Sequence, residues 1–278
     1  MVRARKRFGQ HFLEPAWVEK VVRAIDPQPT DAFIEIGPGR GALTRPLAAR
    51  SKSIVAYEID RDLAADLERT APPNVRILEA DFLQALVAVG KLDEPDAAGD
   101  ASAQRLRAAG NLPYNVASPI MFRLVEMYAA GVPLVDATVM LQREVAERLL
   151  ARPGTKDYGV LTVLIRHSAD VARLLTLPPG AFRPAPKVQS ALVRLRFHAP
   201  DPPVRDAAVF AALVQAVFTR RRKTLANAME AYGNCGAATA KRALERAEID
   251  GRRRPETLTI AEFATLADAV AQGVRPGV

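Results

Sequence analysis

The fold is decided by the stretch Glu35-Ile36-Gly37-Pro38-Gly39-Arg40-Gly41. It completes a short apolar run, residues 32–36, that is typical of a buried strand, and it precedes residues 43–50, which have helical spacing. A glycine-rich turn between a strand and a helix lets the backbone approach a ligand, because glycine has no Cβ. The pattern therefore predicts a nucleotide-type cofactor site at the end of a strand.

Strands and helices alternate on both sides of this stretch. The sequence predicts further strands at residues 53–57, 75–78, 107–109 and 188–197. It predicts further helices at residues 14–25, 61–69, 121–128 and 144–150. Such alternation favours an α/β fold with a parallel, doubly wound sheet. Residues 90–104, rich in Asp, Ala and Gly, are expected to form an exposed loop.

A proline-rich linker separates two predicted domains. Residues 198–203 contain three prolines, and such a segment cannot continue a helix or a central strand. Beyond the linker the sequence predicts helices at residues 210–217, 222–231, 239–247 and 260–270. We therefore expect an α/β domain at residues 1–197 and a small C-terminal, all-helical domain at residues 204–278.

The chain is basic, with 39 Lys and Arg against 31 Asp and Glu and a formal net charge of +8. The positive charges cluster at residues 3–7, 220–223 and 252–254. Because neutralisation of phosphates supplies most sequence-independent affinity for nucleic acids, these clusters favour a nucleic-acid partner. The alternative is that the composition reflects only an arginine-rich, high-GC genome.

Composition also excludes several kinds of site. Cys235 is the single cysteine, so an intramolecular disulfide is excluded, and the three histidines lack metal-ligand spacing. No metal is therefore expected. No apolar run approaches the roughly 20 residues that span a bilayer, and the basic N-terminus lacks the apolar core of a signal peptide. These features predict a cytoplasmic protein with no membrane partner, and a monomer is the default expectation.

Details of the glycine-rich stretch favour S-adenosylmethionine over a dinucleotide. The third glycine comes early, and Pro38 stiffens a loop that would otherwise wrap a pyrophosphate. Glu58 follows the next predicted strand, about 20 residues after Gly37, where a carboxylate can accept hydrogen bonds from both ribose hydroxyls. Asp81 follows the strand after that and can accept from the amino group of the cofactor's adenine. Either carboxylate could instead be a solvated residue at a strand end.

A second motif, Asn111-Leu112-Pro113-Tyr114, follows the predicted fourth strand. The exocyclic amine of adenine is a poor nucleophile because its lone pair is conjugated with the ring. An asparagine carbonyl and a backbone carbonyl, from Leu112 or Pro113, can each accept one N–H and turn that lone pair toward a methyl sulfonium. Tyr114 can stack on the ring. The motif predicts catalysis by positioning and electrostatics, although Asn and Pro are also common in simple tight turns.

Further segments extend these two motifs along the chain. They are Lys6-Arg7-Phe8-Gly9-Gln10-His11-Phe12-Leu13, residues 35–44, residues 110–120, Met140-Leu141-Gln142-Arg143-Glu144-Val145, residues 182–190 and Arg221-Arg222-Lys223-Thr224-Leu225. With these segments in this order, the chain resembles the small-subunit (16S) ribosomal RNA adenine dimethyltransferases. The resemblance implies a Rossmann-like, class I S-adenosylmethionine-dependent methyltransferase domain followed by a helical domain that binds RNA.

The resemblance also implies a reaction and a partner. The reaction is N6-dimethylation of two adjacent adenosines in the 3′-terminal hairpin of small-subunit rRNA, and the partner is a maturing small ribosomal subunit. One alternative is the macrolide-resistance type of methyltransferase, which modifies large-subunit rRNA, but Leu112 and the Phe-Gly-Gln-His-Phe-Leu segment favour the first reading. Another is an assembly checkpoint factor that binds immature small subunits. Intact Asn111 and Glu58 argue against a purely non-catalytic binder.

Matching motifs assign roles to individual residues. The resemblance implies that the donor is bound by His11, Leu13, Gly37, Glu58, Asp81 and Asn111. It implies that the target base is addressed by Asn111, Leu112, Pro113, Tyr114 and Phe182, with Phe182 on the other face of the flipped base. From the residues alone, Phe182 could equally be a core anchor. RNA binding is assigned to Arg221, Arg222 and Lys223, whose alternative is a solvated helix face. His11 stands where many relatives have asparagine, so we expect it to contact the donor through its backbone.

Overall fold

The computed structural model describes residues 11–84, 105–233 and 235–273. The expected loop at residues 90–104 and the basic cluster at residues 3–7 lie outside these ranges. The chain forms two compact units, one made of Met1–Ala146 with Asp170–Phe197 and the other of Glu147–Ala169 with His198–Val278.

The first unit contains the sheet. Its strands are β1 (Phe12–Leu13), β2 (Asp31–Ile36), β3 (Ser53–Glu58), β4 (Val75–Glu79), β5 (Arg105–Asn111), β6 (Leu134–Gln142), β7 (Ala169–Leu177), β8 (Phe182–Arg183) and β9 (Ser190–Phe197). Seven of them form one sheet in the order β4-β3-β2-β5-β6-β9-β7, and β1 pairs with β8 in a separate two-stranded sheet. Neighbouring strands from β4 to β6 run parallel, whereas β9 is antiparallel to β6. The predicted parallel α/β sheet is confirmed there, and β9 is its antiparallel addition.

The first unit also holds the helices α1 (Pro15–Ile25), α2 (Thr44–Ala48), α3 (Arg61–Glu68) and α4 (Ala117–Ala129). Proline at the first position of α1 costs no hydrogen bond. At the other end the Asp26 N–H still donates to the Val22 carbonyl, and the left-handed φ of Asp26, 55°, turns the chain out of the helix. All six residues of β2 are buried, as expected for a strand covered on both faces. Helix α5 (Arg143–Leu150) follows β6.

The second unit is helical, with α6 (Val160–Arg166), α7 (Ala207–Thr219), α8 (Leu225–Met229), α9 (Ala237–Arg246) and α10 (Ile260–Gly273). One boundary between the units falls between Phe197 and His198, and the earlier segment Glu147–Ala169 groups with the C-terminal helices. Tyr158 and Val163 of that segment pack in one hydrophobic cluster with Phe210 and Leu213. Asp206 begins α7 by accepting hydrogen bonds from two backbone N–H groups of its first turn.

An ionic network joins the strands at their amino ends. The Arg107 guanidinium, 3% exposed, donates to Asp31 at 2.7 Å and to both carboxylate oxygens of Asp136 at 3.0 Å. Its remaining N–H groups donate to the carbonyls of Ile25 and Asp26, at 2.7 and 2.9 Å. The network ties β2, β5 and β6 to the end of α1. Buried ion pairs thus join the strands at the amino edge of the sheet. The loops that follow the strands lie at the carboxyl edge.

We expect Arg107→Met to lower the free energy of unfolding by about 3–5 kcal/mol, because it leaves buried carboxylates without their closest cation. Urea denaturation followed by circular dichroism measures the change. Arg69→Met is the matched control, since Arg69 pairs with Asp66 on the exposed surface and should cost less than about 1 kcal/mol. Equal losses in the two variants would contradict a dominant role for the buried network.

Candidate functional site

A cavity of about 190 Å³ lies at the carboxyl edge of the parallel strands. Ligands of open α/β sheets bind at this edge, because the loops that follow successive strands converge there. The cavity is lined by every predicted donor and target-base residue except Phe182, namely His11, Leu13, Gly37, Glu58, Asp81, Asn111, Leu112, Pro113 and Tyr114. The structure therefore brings both sequence motifs to one site.

The glycine-rich loop leaves β2 in a conformation that only glycine adopts easily. Gly37, Gly39 and Gly41 all have positive φ, at 67°, 57° and 77°. The Gly39 N–H donates to Glu58 Oε2 at 2.9 Å, and Asp60 donates to Glu58 Oε1, also at 2.9 Å. Burial raises the pKa of Glu58, and these backbone hydrogen bonds oppose that rise. Glu58 thus fixes the loop, and its carboxylate lines the cavity.

The two motifs are adjacent because β2 and β5 approach closely at their ends. Gly110 pairs with Ile36, and a Cβ at Gly110 would collide with the Ile36 carbonyl oxygen. A Cβ on Gly37 would lie 3.8 Å from the carbonyl oxygen of Asn111. The glycine-rich loop and the Asn111 motif therefore leave the sheet side by side.

The motif Asn111–Tyr114 is held by contacts from distant segments. Asn111 Nδ2 donates to the His11 carbonyl at 2.5 Å, and Tyr114 shares a hydrogen bond of 2.8 Å with Ser190. The Leu112 side chain is buried, and its N–H donates to Met140. The Pro113 carbonyl accepts from Val116 N–H at 3.1 Å, which closes a turn. The sequence analysis offered two backbone carbonyls as acceptors for the target amine, those of Leu112 and Pro113. Only the Pro113 carbonyl accepts the hydrogen bond of this turn.

The donor-side carboxylate Asp81 is partly buried after β4. Its Oδ1 accepts from the Leu83 N–H at 3.0 Å, which orders the loop that follows the strand. Within the described ranges, no group of three or more His, Cys, Asp or Glu residues could hold a metal ion. None of the described helices is both long and apolar enough to cross a membrane.

Phe182 is the one predicted target-base residue that does not line the cavity. The sequence assigned it to the target base, but its side chain is fully buried and packs in the hydrophobic core with Leu177 and Leu192. Phe182 belongs to β8, where it pairs with Leu13 of β1. The ring thus packs as a core residue in this structure, and its role at the target base stays a prediction.

The helix predicted around the basic cluster is shorter in the structure. Arg221, Arg222 and Lys223 lie in the turn between α7 and α8, because the helix predicted at residues 222–231 spans only Leu225–Met229. The Arg221 guanidinium donates to the carbonyls of Lys156 and Thr155, at 2.5 and 2.9 Å. The side chains of Arg222 and Lys223 are exposed. Arg221 therefore contacts its own unit, whereas its two neighbours face solvent, and the RNA-binding role of all three stays a prediction.

Two cavity residues had no role in the sequence analysis. Ile59, next to Glu58, is 49% exposed although it is large and apolar. Glu35 is buried, and its Oε2 has no hydrogen-bond partner in the part of the chain that the structure describes. Burial, with a smaller effect from the negative charge of Glu58, raises the Glu35 pKa from 4.5 to about 7. Their positions in the sequence could have indicated a role, since Glu35 begins the glycine-rich stretch and Ile59 follows Glu58.

Comparisons with known proteins agree with this site. A family model described as "Ribosomal RNA adenine dimethylase" matches residues 1–271. A protein of Methylibium petroleiphilum named "Ribosomal RNA small subunit methyltransferase A" is 42% identical over 273 residues, 98% of each chain. One of the same name from Acidithiobacillus ferrooxidans is 44% identical over 278 residues, 98% of this chain and 97% of that one.

Solved structures share the fold. A dimethyladenosine transferase from Plasmodium falciparum superposes with a TM-score of 0.72 at 23% identity, over 92% of this chain and 96% of that one. The 23S rRNA methyltransferase ErmE superposes with a TM-score of 0.60 at 25% identity, over 94% of this chain and 100% of that one. These likenesses establish a Rossmann-like sheet followed by a helical part.

Glu35→Gln should stabilise the protein in a pH-dependent way. Below pH 4.5 Glu35 is protonated in both folded and unfolded chains, so its contribution to stability is then fully present. As the pH rises through about 7, the folded state must bury a negative charge and that stability is lost. Glutamine mimics the protonated form at every pH. We expect the variant to gain up to about 3 kcal/mol over the parent above pH 7 and almost nothing at pH 4.

Urea denaturation without ligand, at pH values from 4 to 8, measures this difference. Glu68→Gln, on the exposed end of α3, is the control and should show no comparable trend. A Glu35→Gln difference that stays constant across this range would mean that Glu35 is not a buried, titrating carboxyl group.

Proposed function

The chain belongs to the ribosomal RNA adenine dimethylase family, and we propose that it is the S-adenosylmethionine-dependent enzyme that dimethylates N6 of adenosine in small-subunit (16S) rRNA. The observation that carries this proposal is the single cavity that joins the glycine-rich loop to the Asn111 motif. The relatives at 42% and 44% identity are named for the small subunit, which favours this substrate over large-subunit rRNA.

The proposal also specifies the nucleotides that are modified and the particle in which they are modified. We assign the reaction to two adjacent adenosines of the 3′-terminal hairpin, within a maturing small ribosomal subunit. The enzyme acts as a cytoplasmic monomer. The motifs that support this assignment are those on which the family resemblance rests.

The residues of the cavity fit S-adenosylmethionine, which supplies an activated methyl group on a sulfonium. The Glu58 carboxylate lines the cavity and can accept from the ribose hydroxyls, and Asp81 can accept from the adenine amino group. Ile59 offers an exposed apolar surface for the flat adenine ring. The unpartnered oxygen of Glu35 suits the ammonium of the methionine part, because a buried carboxylate favours a cation. Backbone groups of Gly37, His11 and Leu13 complete the part of the cavity that we assign to the donor.

The target amine is oriented by Asn111 and Leu112. The Asn111 side-chain oxygen and the Leu112 carbonyl each accept one N–H of the adenine amine, which turns the nitrogen lone pair toward the methyl group. Pro113 keeps that backbone rigid, and Tyr114 stacks on the purine. Orientation of this kind can supply about 7–11 kcal/mol of the barrier, and loss of one key polar contact typically costs about 3–4 kcal/mol.

We expect the purified protein to transfer labelled methyl groups from S-adenosylmethionine to small subunits that lack the modification, and to leave fully modified subunits unlabelled. Mass mapping of the RNA should place the label on N6 of the two adjacent adenosines. Large subunits from the same cells serve as the comparison substrate. Label on large-subunit RNA in place of small-subunit RNA would overturn the choice of substrate.

Asn111→Ala provides the mechanistic control in the same assay. Without its acceptor the amine is not oriented, so transfer should fall at least a hundredfold while subunit binding stays nearly unchanged. Asn227→Ala, at an exposed asparagine of α8, should keep full activity. Loss of subunit binding with normal turnover of the bound fraction would contradict the role of Asn111.

The basic turn between α7 and α8 is the proposed RNA contact of the helical unit. Arg222 and Lys223 are exposed and can each neutralise a backbone phosphate. We leave Arg221 out of the direct contact, because its guanidinium already binds the carbonyls of Thr155 and Lys156. Its function is to hold the turn in place.

The double substitution Arg222→Ala with Lys223→Ala should weaken subunit binding and flatten its salt dependence. Each lost phosphate contact lowers the log–log slope by about 0.7–0.9. Filter binding at several salt concentrations measures the slope. Lys241→Ala with Arg242→Ala, on α9, removes the same charge from another exposed site. Equal changes in both double variants would show that net charge, and not this turn, determines binding.

A further inference from the structure

His11 contacts the residues that address the target base. Its carbonyl accepts from Asn111 Nδ2 at 2.5 Å, and its ring stacks on Tyr114 with centroids 5.3 Å apart and planes inclined by 26°. Its Nδ1 lies 2.7 Å from the Pro184 carbonyl oxygen. His11 was assigned to the donor from sequence, and these three contacts join it to the motif Asn111–Tyr114 and to the residue that follows β8.

The backbone of His11 determines which way the Asn111 amide points. A carbonyl oxygen only accepts hydrogen bonds, so the Asn111 amide must turn its NH₂ group toward His11. The opposite orientation would bring two oxygens within 2.5 Å of each other. The Asn111 oxygen is therefore directed to the other side of the amide, where it can serve as an acceptor.

The side chain of His11 restrains Tyr114. The Tyr114 hydroxyl is held by Ser190 at 2.8 Å, and the His11 ring covers one face of the phenol ring. The distance between the ring centres falls in the range of favourable stacking. Because Pro184 offers only a carbonyl, the His11 Nδ1 must donate, and this bond fixes the plane of the imidazole. Tyr114 is thus restrained at its hydroxyl end and on one face.

The segment that carries His11 is itself held in place. The next residues, Phe12 and Leu13, form β1 and pair with Arg183 and Phe182 of β8. Pro184, the acceptor for the His11 ring, follows β8 directly. The short sheet β1-β8 therefore carries both His11 and the group that orients its ring, which makes His11 a fixed support for the motif.

We propose that His11 is a positioning residue for the target adenine, in which the carbonyl sets the Asn111 acceptor and the stacked imidazole sets the Tyr114 ring. This inference rests on the proposed function. It adds a role on the acceptor side of the site, distinct from donor binding. The purine then stacks on the face of Tyr114 that His11 leaves uncovered.

Side-chain substitutions test the Tyr114 half of the proposal, since every variant keeps the His11 carbonyl. His11→Ala should lower kcat about tenfold, while the Kd for S-adenosylmethionine, measured by calorimetry, changes less than twofold. His11→Phe keeps a flat ring and should recover most of the rate. His11→Asn keeps an N–H donor without a ring and should behave like alanine. Thermal melting of each variant confirms that the fold is retained.

A double-mutant cycle separates positioning from general destabilisation. If His11 acts through Tyr114, His11→Ala should have almost no further effect on kcat in a Tyr114→Ala background. Additive losses, or a fall in donor affinity as large as the fall in kcat, would overturn the proposal. So would a phenylalanine variant no better than alanine. The cycle uses whichever ribosomal subunit the parent methylates, so a wrong substrate assignment would not affect its outcome.

Discussion

The close approach of β2 and β5 at Gly110 is the constraint on which the site depends. Only a residue without a side chain fits against the Ile36 carbonyl, and the two parallel strands end there in register. The loop that follows each strand therefore starts beside the other. The glycine-rich loop, which we assign to the methyl donor, and the Asn111 motif, which we assign to the target base, therefore line the same cavity.

Charge is arranged differently at the two edges of the sheet. At the amino edge, Arg107 neutralises Asp31 and Asp136, and all these groups are buried and hydrogen-bonded. At the carboxyl edge, Glu35 and Glu58 are buried, and burial raises the pKa of each carboxyl group. A cationic ligand would stabilise the charged forms of these two buried groups.

The sequence predicted β2 and β3 and the glycine-rich motif between them well, because each of these strands is an apolar run that ends in turn or polar residues. It missed β1, β6, β7 and β8, of which β1 and β8 have only two residues each and exist only as a pair. The antiparallel direction of β9 could not be read from its alternation, which is the same for either direction. That Glu147–Ala169 packs with helices far away in the chain could not be read from the order of the elements.

The sequence by itself determined the chemistry of the two motifs, because each motif is encoded by adjacent residues. One is a glycine-rich turn between a strand and a helix, and the other is an asparagine amide close to a proline. Only the tertiary structure decided which groups those motifs meet. His11 reaches Asn111 across 100 residues, and Arg221 reaches Lys156 across 65. Phe182 became a core residue for the same reason. Local backbone preferences act within a few residues, whereas burial and hydrogen-bond partners depend on how distant segments pack.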